Sequence, residues 1–139
     1  MPERLVIVDT GPLVAFLVEN EPRHTWVVEQ FKLLPAPFLT CEAVLTETFH
    51  LLSHAPGGGR HFFQLLARGV LRVDFALMAE TRTLEKLIHK YRDLPMSLAD
   101  ACLVRMMELR PAAAVFTLDT DFKIYRKHGR EPIPVVMPE

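Results

Sequence analysis

Short apolar runs alternate along this chain with stretches of helical period. Leu5 to Val8 is continuous, apolar and rich in β-branched residues, and it stops at Asp9-Thr10-Gly11-Pro12. A run without polar alternation suits a strand buried on both faces, as in a parallel sheet. Similar runs at Pro37 to Leu39, Val70 to Phe75, Ala113 to Leu118 and Ile133 to Met137 predict further strands. The helical-period segments between them predict helices at Pro12 to Val18, Arg23 to Leu34, Glu42 to Ser53, Arg60 to Ala67, Leu77 to Tyr91 and Ser97 to Leu109, with a short one from Phe122 to Lys127. This alternation predicts an α/β domain. Ala55 to Arg60, with Pro56 and three glycines, reads as a flexible connection too short to divide the chain, so residues 1–139 are expected to form one domain. Gly57 to Gly59 lack the Lys-Ser or Lys-Thr that a phosphate loop needs, and read as a loop.

Composition narrows the class. Hydrophobic residues make up 50% and charged ones 24%, which is globular rather than disordered, and no segment approaches the roughly 20 apolar residues of a membrane helix. The start, Met1 to Arg4, carries two ionisable residues before only four apolar ones. That is not the pattern of a secretory signal, so a cytoplasmic protein is expected. Cys41 and Cys102 are too few for a disulfide framework and lack zinc-ligand spacing, and are expected to be small core residues. Sixteen basic against seventeen acidic residues give a net charge of -1, which excludes a polycation that coats nucleic acid. Any such contact must come from a local patch.

The acids fall at informative places. Asp9 directly follows the first strand and Asp119 directly follows Ala113 to Leu118, so both should emerge at carboxyl ends of strands, where open parallel sheets bind ligands. Asp9 also reads as a cap for the helix that begins near Pro12. Glu47 shares a helical face with Ala43, Val44, His50 and Leu51; it either points to solvent at the edge of that stripe or meets something positive. Asp100, three residues after Ser97, equally reads as part of a capping box. Taken together, such carboxylates repel one another unless a cation neutralises them. Hard oxygen donors without cysteine suit Mg²⁺ or Mn²⁺, and such a site points to phosphate chemistry with metal-bound water as nucleophile.

These segments carry a resemblance. Asp9-Thr10-Gly11-Pro12-Leu13, Glu47 in a mid-chain helix, Ser97-Leu98-Ala99-Asp100-Ala101 and Thr117-Leu118-Asp119-Thr120-Asp121-Phe122 resemble the four acidic signatures of the PIN-domain ribonucleases, VapC-like toxins especially. The likeness spans nearly the whole chain. It implies a three-layer fold with a central parallel sheet flanked by helices, and a metal-dependent endoribonuclease acting as the toxin of a toxin-antitoxin pair. It places the catalytic, metal-binding acids at Asp9, Glu47, Asp100 and Asp119, with Mg²⁺ or Mn²⁺ as cofactor and Thr10 and Thr117 as supporting hydroxyls. Asp121 fits either an added ligand or the cap of the helix at Phe122. The resemblance also implies RNA as substrate and a small antitoxin partner that covers the site.

Other readings compete. A free-standing RNA-processing nuclease and a catalytically silent PIN-fold binding module both accommodate the same motifs. His50 and His54, four apart with Glu47 one turn earlier, suggest a zinc site, but HExxH is absent. Receiver domains and haloacid-dehalogenase-like phosphatases also place an acid after the first strand, yet need a second one where this chain has Val8 or Gly11. Asp93 reads as a turn and Asp74 as a strand end, both outside the site. Lys123, Arg126, Lys127 and Arg130 form the one basic cluster and are the candidate RNA contacts, or else a solvated helix face. Apolar stripes at Trp26, Val27 and Phe31, and at Leu84, Leu87, Ile88 and Tyr91, suit core packing and leave room for a homodimer.

Overall fold

The computed structural model describes residues 4–139; of the expectation for Met1 to Arg4, Met1 to Glu3 lie outside the described residues. In chain order the elements are β1 (Val6–Val8), α1 (Thr10–Leu17), α2 (His24–Leu33), β2 (Phe38–Thr40), α3 (Glu42–Leu52), α4 (Gly58–Ala67) and β3 (Leu71–Val73). A 3₁₀ turn at Leu77–Glu80 leads into α5 (Thr81–Lys90), followed by α6 (Leu98–Leu109) and β4 (Ala114–Phe116). A second 3₁₀ turn at Thr120–Lys123 precedes β5 (Arg126–Lys127), β6 (Glu131–Pro132) and β7 (Val135–Val136).

The buried apolar runs do become a parallel sheet, in the order β3-β2-β1-β4-β7. Strands β1, β2 and β4 are buried along their whole length, which is why they show no polar alternation. Helices flank the sheet in three layers, as expected. Helix α6 is apolar nearly all round, with Ala99, Ala101, Cys102, Leu103, Val104, Met106 and Met107 buried, because it packs against α5 on one side and β1 and β4 on another. The chain steps outward from β1 to β2 and β3, then returns to place β4 on the other side of β1. Strand order therefore reverses between β1 and β4, and the crevice at their carboxyl ends is where such sheets bind ligands.

Three expectations change. Leu77 to Tyr91 is not one helix: a 3₁₀ turn hands over to α5 at Thr81. Ala55 to Arg60 is not an open connection, since α4 already starts at Gly58. A side chain there would meet the Leu52 carbonyl oxygen at 2.2 Å, so glycine lets α4 begin hard against the end of α3. Phe122 to Lys127 forms no helix either. After the 3₁₀ turn, Arg126 and Lys127 pair with Pro132 and Glu131 in a small antiparallel ribbon, turned by His128 and Gly129 at positive φ.

The apolar stripes are consumed by the core. Phe31 stacks with Phe38 and Phe116, with ring centroids 4.8 and 5.2 Å apart, and Trp26 meets Phe116 edge-on. Leu84 and Leu87 are buried beside α6, and Tyr91 meets the Tyr125 ring. An exposed aromatic ridge lies elsewhere, at Phe49 and Phe63 on α3 and α4. Cys41 and Cys102 are buried and free, small core residues as expected. Among the described residues no helix is long and apolar enough to cross a membrane.

Candidate active site

The register of the two central strands builds the floor of the site. Val8 lies opposite Phe116, so the next residues, Asp9 and Thr117, leave the sheet side by side. The Thr117 hydroxyl donates to Asp9 Oδ2 at 2.7 Å, and the Thr10 backbone N–H donates to Oδ1 at 2.7 Å. Asp9 is thus both the cap of α1, which begins two residues earlier than Pro12, and a wall of the crevice. The two readings of Asp9 are one geometry, because the chain must turn from strand to helix exactly where the crevice opens.

Thr117 also accepts the Asp119 N–H at 3.0 Å, holding the start of the turn that carries Asp119. Asp119 caps that turn by accepting the Asp121 N–H at 2.9 Å. Asp100 occupies the first turn of α6, where Ser97 caps the helix by accepting the Asp100 N–H at 3.0 Å. Its Oδ2 accepts the Tyr125 hydroxyl at 2.8 Å. Glu47 stands on the exposed side of α3 and leans inward to accept the Thr10 hydroxyl at 3.0 Å.

An open cavity of about 470 Å³ gathers these groups, lined by Asp9, Thr10, Gly11, Glu47, Pro95, Ser97, Asp100, Leu118, Asp119 and Asp121. All five acids singled out from the sequence reach it, although 112 positions separate the first from the last. Electrostatics mark it as unusual. Burial raises the Asp9 pKa to about 6, the charges of Asp100 and Asp119 add to it, and the bonds from Thr117 and Thr10 work against it. Asp100 is likewise raised, first by burial and then by Asp119 and Glu47, while the Tyr125 and Ser97 hydroxyls oppose the shift. Burial first, and neighbouring carboxylate charge after it, thus disfavour the ionised forms of Asp9 and Asp100. Among the described residues no three acidic, histidine or cysteine side chains make a ready metal cage, so the carboxylates line the crevice as a loose ring rather than a closed coordination shell.

The basic cluster behaves differently. Lys123 and Arg130 are exposed, but Lys127 is 9% exposed. Arg126 turns back on its own chain, its guanidinium donating to the carbonyls of Lys123, Ile124 and Tyr125. The expected helix is replaced by the 3₁₀ turn and β5, and none of the four lines the acidic cavity. His54 lies beyond the end of α3, so it does not share a helical face with His50, and the zinc arrangement is not formed. Asp74 pairs with Arg110 away from the site.

A model of the PIN domain family matches residues 6–127. The chain belongs to the PIN domain family. A search of curated proteins finds no match. Among solved structures, this PIN domain is similar to the crystal structure of VapC20 from Mycobacterium tuberculosis, described as a toxin that cleaves the sarcin-ricin loop. The two are 21% identical with a TM-score of 0.75, over 86% of this chain and 93% of that one. At that identity the likeness speaks for the shared fold.

Ser97, which lines the PIN domain's crevice, and Tyr125, which bonds Asp100 behind it, are polar residues that the sequence does not mark as site residues. Ser97 was legible only as a cap. Tyr125 lay inside a segment expected to be a basic helix; the available signal was that a buried tyrosine needs a partner for its hydroxyl, and the neighbouring chain is rich in acids.

Proposed function

We propose that this PIN domain, as one unit over residues 1–139, is a divalent-metal-dependent endoribonuclease that hydrolyses RNA phosphodiester bonds in the cytoplasm as the toxin of a toxin-antitoxin pair. The observation that carries the reading is the convergence of Asp9, Glu47, Asp100, Asp119 and Asp121 on one cavity at the reversal of strand order. The donor set fits Mg²⁺ or Mn²⁺: every candidate ligand is a hard carboxylate oxygen, and burial, with the Asp100 and Asp119 charges adding to it, pushes the Asp9 pKa up to about 6. A loose ring suits Mg²⁺, which keeps several of its waters.

In this reading Asp9 and Asp100 bind the ion directly or through water, with Glu47 and Asp119 completing the set and Asp121 beside them. When bound, the ion supplies Lewis acidity at the scissile phosphate and an activated water. The chain's own contribution is orientation. Thr117 fixes Asp9 relative to Asp119, and Thr10 fixes Glu47 relative to α1. The exposed Lys123 and Arg130 are the basic residues of the cluster that remain free to meet RNA phosphates. The likeness to VapC20 supports the toxin assignment and a small antitoxin partner. The exposed Phe49 and Phe63 ridge supports a homodimer, measurable as the sedimentation mass of the wild type against Phe63→Ser.

The deciding experiment compares RNA cleavage with Mg²⁺ or Mn²⁺, with EDTA, and for Asp9→Asn. Cleavage should need the ion and fail in the variant. Cleavage that survives both EDTA and the substitution overturns the reading. Expression alone should slow growth, and a small upstream gene should relieve it; a chain with neither property is a processing nuclease.

A further inference from the structure

Tyr125 lies outside the four acidic segments, yet it reaches into them. Its side chain is fully buried, set edge-on to Tyr91 and Phe122 with ring centroids 5.0 and 5.1 Å away. Its backbone N–H donates to the Asp121 carbonyl at 3.0 Å, which anchors it to the turn that carries the fourth acid. The same residue donates its hydroxyl to Asp100 Oδ2, on α6. One residue, through its backbone N–H and its hydroxyl, therefore ties the turn of the fourth acid to the acid on α6. Burial and the carboxylates of Asp100, Asp121 and Asp119 push the phenol well above its ordinary range, so it stays a neutral donor.

The helix fixes the Asp100 backbone but leaves the rotation of the carboxylate open. A rigid, buried phenol closes that freedom. We propose that Tyr125 is a positioning residue that holds Asp100 Oδ2 and so turns Asp100 to offer an ion one oxygen, favouring Mg²⁺ and Mn²⁺ over Ca²⁺. The inference rests on the divalent-metal reading of the site. Its physical basis is the difference between these ions: Mg²⁺ demands a near-ideal octahedron built from one or two carboxylates and waters, whereas Ca²⁺ accepts two oxygens from one carboxylate in a larger, looser shell. A carboxylate whose second oxygen already accepts from a fixed donor has one lone pair fewer for an ion, and any rotation that breaks that bond leaves a buried hydroxyl unpaired, so the two-oxygen chelate is disfavoured. Partners that orient metal ligands in this way typically change metal affinity by ten- to a hundredfold when removed.

Tyr125→Phe keeps the ring and deletes only the hydroxyl. Melting temperatures of the wild type and this variant are titrated with Mg²⁺, Mn²⁺ and Ca²⁺ separately to obtain each affinity. The expected result is a roughly tenfold loss of Mg²⁺ affinity with Ca²⁺ affinity kept or improved, so that the preference for Mg²⁺ over Ca²⁺ falls at least tenfold. A folded variant with the wild-type preference overturns the role of Tyr125. A wild type whose melting none of the three ions moves overturns the metal reading and this inference with it, whereas one that all three stabilise equally overturns the inference alone. A measurement on the intact protein covers a variant that does not fold. The chain has two tyrosines, so fluorotyrosine labelling gives two ¹⁹F signals, assigned with Tyr91→Phe. Saturating Mg²⁺ should move the Tyr125 signal more than that of Tyr91; a stationary Tyr125 signal in protein that Mg²⁺ stabilises overturns the proposal.

Discussion

Five acids scattered over 112 positions meet in one crevice, whereas four basic residues within eight positions of one another end up with unlike surroundings. The acids are placed by strand ends and helix starts, features that the parallel sheet brings together whatever the separation along the chain. The basic residues needed one particular local conformation, a helix, to share a face. The burial of Tyr125 and the turn at His128 and Gly129 denied it to them. Proximity in sequence is thus a weaker guide to a shared site than equivalent position in a fold.

Four measurements bear on that contrast, from the largest effect downward. Asp9→Asn and Asp100→Asn should each lower RNA cleavage by about a hundredfold or more, since in the proposed function each removes a metal ligand. Retention of near-normal rates by both would dissolve the acidic half of the comparison.

The second concerns stability without metal. An acid whose folded pKa is raised from 3.8 to about 6 binds its proton more tightly when folded. The protein therefore loses stability as pH climbs through that window, by at most about 3 kcal/mol above it. In EDTA at pH 7, Asp9→Asn should recover about 2 kcal/mol of this, less than the maximum because an amide is a poorer partner for Thr117 and Thr10. The advantage should vanish below about pH 4 and reverse in saturating Mn²⁺, where the wild type gains from binding. An Asp9→Asn protein less stable than wild type at pH 7 in EDTA would show that the capping role outweighs the repulsion.

Arg126→Ala comes third. Its guanidinium closes on three carbonyls of its own turn, so its removal should cost about 1 kcal/mol of stability and leave RNA affinity unchanged. The smallest effect belongs to Lys123→Ala and Arg130→Ala, each expected to weaken RNA binding two- to threefold and to reduce the salt dependence by about one phosphate contact. If Arg126→Ala weakens RNA as much as these two do, the basic residues act together after all.

Much of this was open to reading from sequence. The runs Leu5 to Val8 and Ala113 to Leu118 read as strands and contain β1 and β4, and Asp9 and Asp119 followed from where those runs stop. Glu47 was ambiguous because it is both exposed and turned toward Thr10, a choice that helical period cannot make. The segment after Asp121 misled because its charges suit a helix, while what decides its path is long-range: the Tyr125 hydroxyl bound to Asp100, the Tyr91 hydroxyl accepting the Arg126 N–H at 2.9 Å and the Lys90 ammonium donating to the Gly129 carbonyl at 2.9 Å. Those partners lie 25 to 39 residues away, beyond any local pattern.

The Asp9 N–H donates to the Phe116 carbonyl at 2.9 Å, in line with the ladder between the two innermost strands. That amide should exchange with solvent only when the whole sheet opens, and so at the slowest rate in the molecule. Denaturant and heat would then take the floor of the crevice and the hydrophobic core in one cooperative step. No intermediate that keeps its shape but has lost the register of Asp9 against Thr117 is then expected.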